Sequence, residues 1–153
     1  MTTVMAAGVF DVLHLGHLYY LRAARALGDR LVVVVACDDT ARKMKHSPLT
    51  PEEMRLDMIR ELRTVDEAIL GGSGDMYDTV RKVNPDIIAL GYDQVHREGE
   101  IRKELDLRGL PCKVVRLDKF ASDLDSTRRL IRKIIDWAAF NEKMKGIEGE
   151  GSV

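Results

Sequence analysis

The chain has little cysteine, almost no net charge and no long apolar run. Its two cysteines in 153 residues, Cys37 inside one apolar stretch and Cys112 at the start of another, show no metal-ligand spacing. Buried free thiols are expected. Lysine and arginine total 24 against 25 aspartate and glutamate, interspersed throughout, for a formal charge of −1. This balance argues against an extended nucleic-acid surface or a basic membrane-binding face, so an anionic ligand needs a local site. No apolar stretch approaches the roughly 20 residues that span a bilayer. The start, Met1-Thr2-Thr3-Val4, lacks a basic n-region and a cleavable apolar segment, so a cytoplasmic protein is expected. Two phosphate motifs are also missing: Gly-x-x-x-x-Gly-Lys-Ser/Thr, and Gly-x-Gly-x-x-Gly after the first apolar run.

What is present is one domain's length of alternating patterns. Residues 1–145 read as a single domain and 146–153 as a loose tail. Thr3 to Gly8 predicts a strand, and Leu18, Leu21, Ala24 and Leu27 recur at helical spacing until Gly28. Leu31 to Ala36 is an unbroken β-branched run, as in a central parallel strand covered on both faces. Cys37 to Leu49 reads as a polar, basic loop with some helical turn. Thr50-Pro51-Glu52-Glu53 then predicts a helix to about Leu62, with threonine as N-cap and proline at the first helical position.

A third strand is expected from Val65 to Leu70, then a helix from Asp75 to Val83 ended by Asn84-Pro85. Ile87 to Leu90 reads as a fourth strand, Val95 to Arg108 as a charged helix and Lys113 to Leu117 as a fifth strand. A last helix runs from Ser126 to Met144. Strand and helix alternate throughout, which predicts an α/β fold: a Rossmann-like, doubly wound, mostly parallel five-stranded sheet with helices on both faces. Such sheets bind ligands at the carboxyl ends of their strands. The polar clusters fall there, after the first strand (Phe10, Asp11, His14, His17), the second (Asp38), the fourth (Tyr92, Asp93) and the fifth.

The sharpest signal is Gly8-Val9-Phe10-Asp11-Val12-Leu13-His14-Leu15-Gly16-His17, joining the first strand to the first helix. A helix start directs backbone N–H groups and a partial positive charge at one spot, favouring a phosphate. His14 and His17, three apart, share one face of the first turn and can reach one ligand together. Gly16 allows close approach there. His46 and His96 sit among charges and read as surface residues.

The stretch resembles the nucleotidyltransferase superfamily with the His-x-Gly-His signature, in its cytidylyltransferase-like branch, and the likeness extends to about Ile135. A second signature, at the start of the last helix, is matched in part by Leu124-Asp125-Ser126-Thr127-Arg128, with Asp125 a departure. The resemblance implies in-line attack by an acceptor's phosphate on the α-phosphorus of a nucleoside triphosphate, with loss of pyrophosphate. It implies His14, His17 and Lys43 as catalytic residues, and nucleotide contacts from Val9, Phe10, Gly16, Asp93, Ser126, Thr127 and Arg128. Lys45, Arg55, Arg116, Asp38 and Tyr92 are further candidates for phosphate or acceptor, and Asp11 either holds the turn or faces a metal-bound phosphate. Mg²⁺ would bridge the triphosphate, held mostly by phosphate oxygens and water, with no dedicated protein metal site.

The stretch from Phe10 to Ala24, together with Asn84-Pro85-Asp86-Ile87-Ile88-Ala89-Leu90-Gly91-Tyr92-Asp93-Gln94, looks most like archaeal-type FAD synthases, which are stand-alone adenylyltransferases. That likeness implies ATP and FMN as substrates, and a homodimer, as is frequent in the family. A cytidylyltransferase acting on glycerol 3-phosphate or a similar phosphorylated alcohol shares every catalytic feature. A non-catalytic nucleotide- or flavin-binding regulator would share the fold.

Overall fold

In the parallel register of the strands, five carboxyl termini come to one edge, and this edge organises the molecule. The computed structural model describes residues 1–44, 47–94, 96–119 and 126–150. The elements follow in the order β1 (Thr3–Gly8), α1 (Leu15–Arg25), β2 (Arg30–Val35), α2 (Asp38–Met44), α3 (Glu52–Arg60), β3 (Glu67–Leu70), α4 (Met76–Val83), β4 (Ile87–Leu90), α5 (Glu98–Leu107), β5 (Lys113–Arg116) and α6 (Thr127–Glu150). The sheet order is β3-β2-β1-β4-β5 and every pairing is parallel. Strand order therefore reverses between β1 and β4, the crevice where such folds take ligands.

Alternate side chains of the central strands feed two cores. On one face Val4 and Ala6 of β1 and Leu31, Val33 and Val35 of β2 meet Leu21 and Ala24 of α1 and Leu56 and Ile59 of α3. On the other, Met5, Val34, Ile88 and Leu90 meet Val80 of α4 and Ile101 and Leu105 of α5. The unbroken valine run of β2 is thus explained: both of its faces are covered. Among the described residues no helix is long and apolar enough to cross a membrane.

Three local expectations change. The segment after β2 is a helix, α2, whose first turn carries Asp38 and Asp39 and whose last carries Arg42 and Lys43, both favourable to its dipole. α3 begins one residue later than expected, with Pro51 as N-cap and no side-chain cap bond. The hydroxyl of Thr50 instead donates to the Asp11 carboxylate at 2.7 Å, a charge-assisted bond stronger than a cap. α6 continues through Gly146 to Glu150. Glycine weakens a helix by about 1 kcal/mol but ends it only where it turns left-handed. α4, by contrast, ends as its sequence predicts, on Asn84 at φ 50° before Pro85.

Gly28 closes the α1–β2 turn against the start of β1. A Cβ there would lie 2.7 Å from the Thr2 carbonyl oxygen and 2.8 Å from a Val4 methyl. Gly28→Ala is therefore expected to lower stability by about 1–3 kcal/mol, read as a drop in the thermal or urea midpoint; an unchanged midpoint would show that this turn gives way freely.

Candidate functional site

The chain leaves β1 at Gly8 and must turn sharply into α1. Phe10 and Val12 both adopt left-handed backbone, with φ of 55° and 53°. For a β-branched residue such as Val12 this conformation costs on the order of 1–3 kcal/mol and persists only where surroundings enforce it. Packing holds Phe10 in it. The Phe10 ring is buried over Gly8, edge-on to His17 at a centroid distance of 5.4 Å and stacked on Tyr20 at 6.4 Å.

His14 is the N-cap of α1, and it and His17 cap the helix reciprocally. The Gly16 N–H donates to His14 Nδ1 at 3.1 Å, and the His14 N–H donates to His17 Nδ1 at 3.3 Å. The rings lie nearly parallel, with centroids 3.8 Å apart. Each Nδ1 accepts, so each neutral imidazole carries its proton on Nε2 and is a donor there. The pair thus satisfies two orphan amides of the helix start and presents two N–H donors beside the dipole's positive end.

Asp11, buried between these residues, binds two further segments. Its carboxylate accepts the Leu49 N–H at 2.7 Å, the Thr50 N–H at 3.0 Å and the Thr50 hydroxyl at 2.7 Å. Its carbonyl accepts the Thr127 hydroxyl at 2.9 Å, joining the start of α6 to the β1 loop. Burial alone would raise its carboxyl; the bonds from Leu49 and Thr50, helped by the Arg55 charge, outweigh that and hold it below the usual carboxylate range. Of its two expected roles, the geometry supports holding the turn.

Two arginines and an aspartate are placed differently from expectation. Arg55, expected in a phosphate clamp, is 1% exposed. It donates to the carbonyls of Thr50 (3.0 Å), Val9 (2.7 Å) and Ala36 (2.8 Å), and pairs with Asp38 at 2.7 Å. Asp38 correspondingly pairs with Arg55. Arg116 donates to the carbonyls of Gly91 (2.8 Å), Gln94 (2.9 Å) and His96 and pairs with Glu98. It braces the loop after β4. Burial explains each change, because a charge withdrawn from water takes whatever oxygens surround it.

Lys43 is exposed in the last turn of α2, and Arg128 is exposed in the first turn of α6. The Ser126 hydroxyl accepts the Arg129 N–H at 3.2 Å, capping α6. Tyr92 and Asp93 are exposed on the β4 loop, with the Lys119 ammonium 5.6 Å from the Tyr92 ring centroid. Lys45, His46 and Asp125 lie outside the described residues. Cys37 is buried and Cys112 half-buried; burial, aided by the nearby Asp86 charge, pushes the Cys112 thiol up.

Two residues at the β1–β4 crevice were missed. The Gln94 amide donates to the Ala7 carbonyl at 2.7 Å and accepts the Gly91 N–H at 3.3 Å. The Tyr20 hydroxyl donates to the Ala89 carbonyl at 2.7 Å, and burial pushes its phenol strongly up. The one available signal was their position within the Tyr19-Tyr20 and Asp93-Gln94 pairs beside named motifs.

Residues 5–143 match the sequence profile of the cytidylyltransferase-like family. A relative from Aciduliprofundum boonei, an FAD synthase by name, is 55% identical over 89% of this chain and 92% of its own. One from Thermoplasma volcanium, named likewise, is 49% identical over 89% of this chain and 96% of its own. A crystal structure titled as a lipopolysaccharide core biosynthesis protein from Thermoplasma volcanium superposes with a TM-score of 0.78 at 52% identity, over 79% of this chain and 99% of that one. A pantoate-β-alanine ligase from Francisella tularensis shares the fold at a TM-score of 0.57 and 10% identity, over 79% of this chain and 60% of that one.

Two predictions come from this geometry. Asp11→Asn keeps the shape but loses the ionised acceptor, so stability at neutral pH should fall by about 1–3 kcal/mol. Because the folded-state pKa is depressed, the carboxylate's contribution is present above about pH 4 and is lost as pH falls through the lowered value. Urea titrations of wild type and variant should converge on acidification; a constant gap would rule out the carboxylate as its source. Arg55→Met should cost about 3–5 kcal/mol by orphaning three carbonyls and Asp38. Its signature is a lower denaturation midpoint, whereas a phosphate ligand would leave the midpoint alone and raise KM for ATP.

Proposed function

The chain belongs to the cytidylyltransferase-like family, and from that premise we propose that it transfers AMP from ATP to the phosphate of FMN, forming FAD and pyrophosphate. The reciprocal histidine cap supports the reaction class. Two imidazoles fixed by their Nδ1 atoms hold Nε2–H donors at a helix N-terminus, where phosphate oxygens gather charge as an α-phosphorus is attacked. The FAD synthase names of relatives 44–55% identical over most of the chain support the acceptor and the nucleotide.

In this reading an FMN phosphate oxygen bonds to the α-phosphorus of ATP and the α–β bridging oxygen leaves in line with pyrophosphate. The acceptor is already an anion near neutral pH, so no strong base is required, and catalysis is positioning plus charge stabilisation. His14 and His17 donate to the α-phosphate and bridging oxygens. Lys43, at the exposed end of α2, and Arg128 approach the phosphates as movable charges. Val9, Phe10 and Gly16 border the phosphates at the β1–α1 turn, Ser126 and Thr127 meet the outer phosphates with the start of α6, and Asp93 meets the nucleoside from the β4 loop. The divalent cation enters as part of the Mg–ATP substrate; among the described residues no group of three or more His, Cys, Asp or Glu converges to hold one. The reading is of a cytoplasmic enzyme with no nucleic-acid partner.

Incubating the pure protein with each triphosphate and a panel of phosphorylated acceptors, and following pyrophosphate and FAD, tests donor and acceptor together. FAD formed from ATP and FMN is the expected result. Turnover confined to CTP and glycerol 3-phosphate would overturn the acceptor and nucleotide. His17→Asn keeps an acceptor for the His14 N–H but removes Nε2–H, and should lose at least about a hundredfold in kcat with the fold intact. Retained turnover would overturn the catalytic assignment.

A further inference from the structure

β1 and β4 separate while each is still a strand, and we propose that Tyr20 and Gln94 hold them apart as positioning residues, opening the gap in which the nucleoside of ATP lies. The nucleoside's place there rests on the ATP-dependent reading above. Pairing between β1 and β4 stops at Ala6 and Ala89. β1 nevertheless stays paired with β2 as far as Gly8 and Val35, and β4 with β5 as far as Leu90 and Arg116. Neither strand ends at the split, so its cause lies between them.

The ladder shows which bonds are missing. Toward β2, the carbonyls of Thr2 and Gly8 accept the Arg30 and Ala36 N–H groups, so even-numbered residues of β1 point to β2 and odd-numbered ones to β4. Toward β5, the carbonyls of Asp86 and Leu90 accept from Lys113 and Leu117, which turns the odd-numbered residues of β4 to β1. In register, the next two rungs would run from the Ala7 N–H to the Ala89 carbonyl and from the Gly91 N–H to the Ala7 carbonyl. A side chain interrupts each. The Tyr20 hydroxyl accepts the Ala7 N–H at 3.3 Å and donates to the Ala89 carbonyl at 2.7 Å. The Gln94 amide accepts the Gly91 N–H at 3.3 Å and donates to the Ala7 carbonyl at 2.7 Å. A hydroxyl and a primary amide both donate and accept, and so meet the two groups that a broken rung leaves. Two bonds in series replace one, which widens the usual strand spacing of roughly 4.8 Å by on the order of 3 Å.

Both wedges are tied to the site. Tyr20 lies three residues after His17 on α1, and its ring stacks on Phe10, which meets His17 edge-on. One helix thus carries the two imidazole donors and the residue that sets the gap beside them. Gln94 is fixed from the other side by Arg116, which donates to the carbonyls of Gly91 and Gln94. The split therefore separates the histidine turn on the β1 lip from Tyr92 and Asp93 on the β4 lip. Closing it would draw Gly91 toward Ala7 and narrow the space for base and ribose, while the helix start and its hold on phosphate stay in place.

Tyr20→Phe keeps the ring on Phe10 and removes the inner wedge; Tyr20→Phe/Gln94→Ala removes both. NMR couplings across hydrogen bonds report the rungs in the full chain without substrate. The single variant should gain a coupling between the Ala7 N–H and the Ala89 carbonyl, and the double variant a second between the Gly91 N–H and the Ala7 carbonyl, both absent from wild type. Calorimetric titration should then show ATP bound at least about tenfold more weakly by the double variant, with inorganic pyrophosphate bound as before. Variants without the new couplings would show that the strands diverge for another reason, and overturn the proposal. So would new couplings with ATP affinity unchanged, or with ATP and pyrophosphate weakened alike, since the gap then does not act on the nucleoside. A wild type that binds pyrophosphate but not ATP overturns the substrate reading, and the nucleoside's place in the gap with it, before any variant is made.

Discussion

A single guanidinium, almost entirely out of water, sets the geometry of the sheet's open edge. Arg55 reaches from α3 to the carbonyls of Val9 and Ala36, the residues just past the ends of β1 and β2. Beyond the last ladder bonds these carbonyls would otherwise need water or a turn partner. One planar, forked cation meets both, adds Thr50, and is neutralised by Asp38. Burying the charge is costly, and the cost is recovered because four acceptors are already in place. Removing any one of them would leave the others less well held.

The position of Val9 fixes where the chain enters the left-handed residues Phe10 and Val12, and these determine how α1 begins. Strain in that turn is balanced by the buried Phe10 ring and by Asp11, whose bonds tie in the segment before α3 and the start of α6. The histidines therefore inherit their placement from a polar frame built by Arg55 and Asp11 within the chain. Helix capping and donor orientation are one arrangement: an Nδ1 that accepts a backbone amide leaves its proton on the opposite nitrogen. Orientation and tautomer are set before any substrate arrives, which is what preorganised charge stabilisation requires.

How far this could be read from the sequence follows from the distance between partners. The five strands and their parallel order follow from β-branched runs and intervening helical periods, because those signals are local. The histidine pair was legible for the same reason, its two members lying three residues apart at a helix start. Arg55 and Arg116 were legible only as positive charges near a phosphate motif. Their partners lie 46 positions away at Val9 and 25 at Gly91, and a sequence without tertiary pairing offers no way to assign them. Thr50 shows the reverse error: a sound local capping pattern gave way to a carboxylate 39 residues earlier. Gln94 and Tyr20, which brace the β1–β4 crevice, carry no local pattern.

With Arg55 and Arg116 holding backbone oxygens, two cations near the site serve the fold, whereas Lys43 and Arg128, the cations proposed to meet phosphate, stand exposed. This division has a kinetic logic. A rigid arginine bidentate to the triphosphate would bind substrate and transition state about equally, lowering KM without raising kcat. In the proposed reaction, donors fixed at the helix start and aimed where negative charge grows would stabilise the transition state more than the ground state. In that reading, cations on exposed side chains would neutralise the phosphates without being fixed to them, so binding need not slow the loss of pyrophosphate.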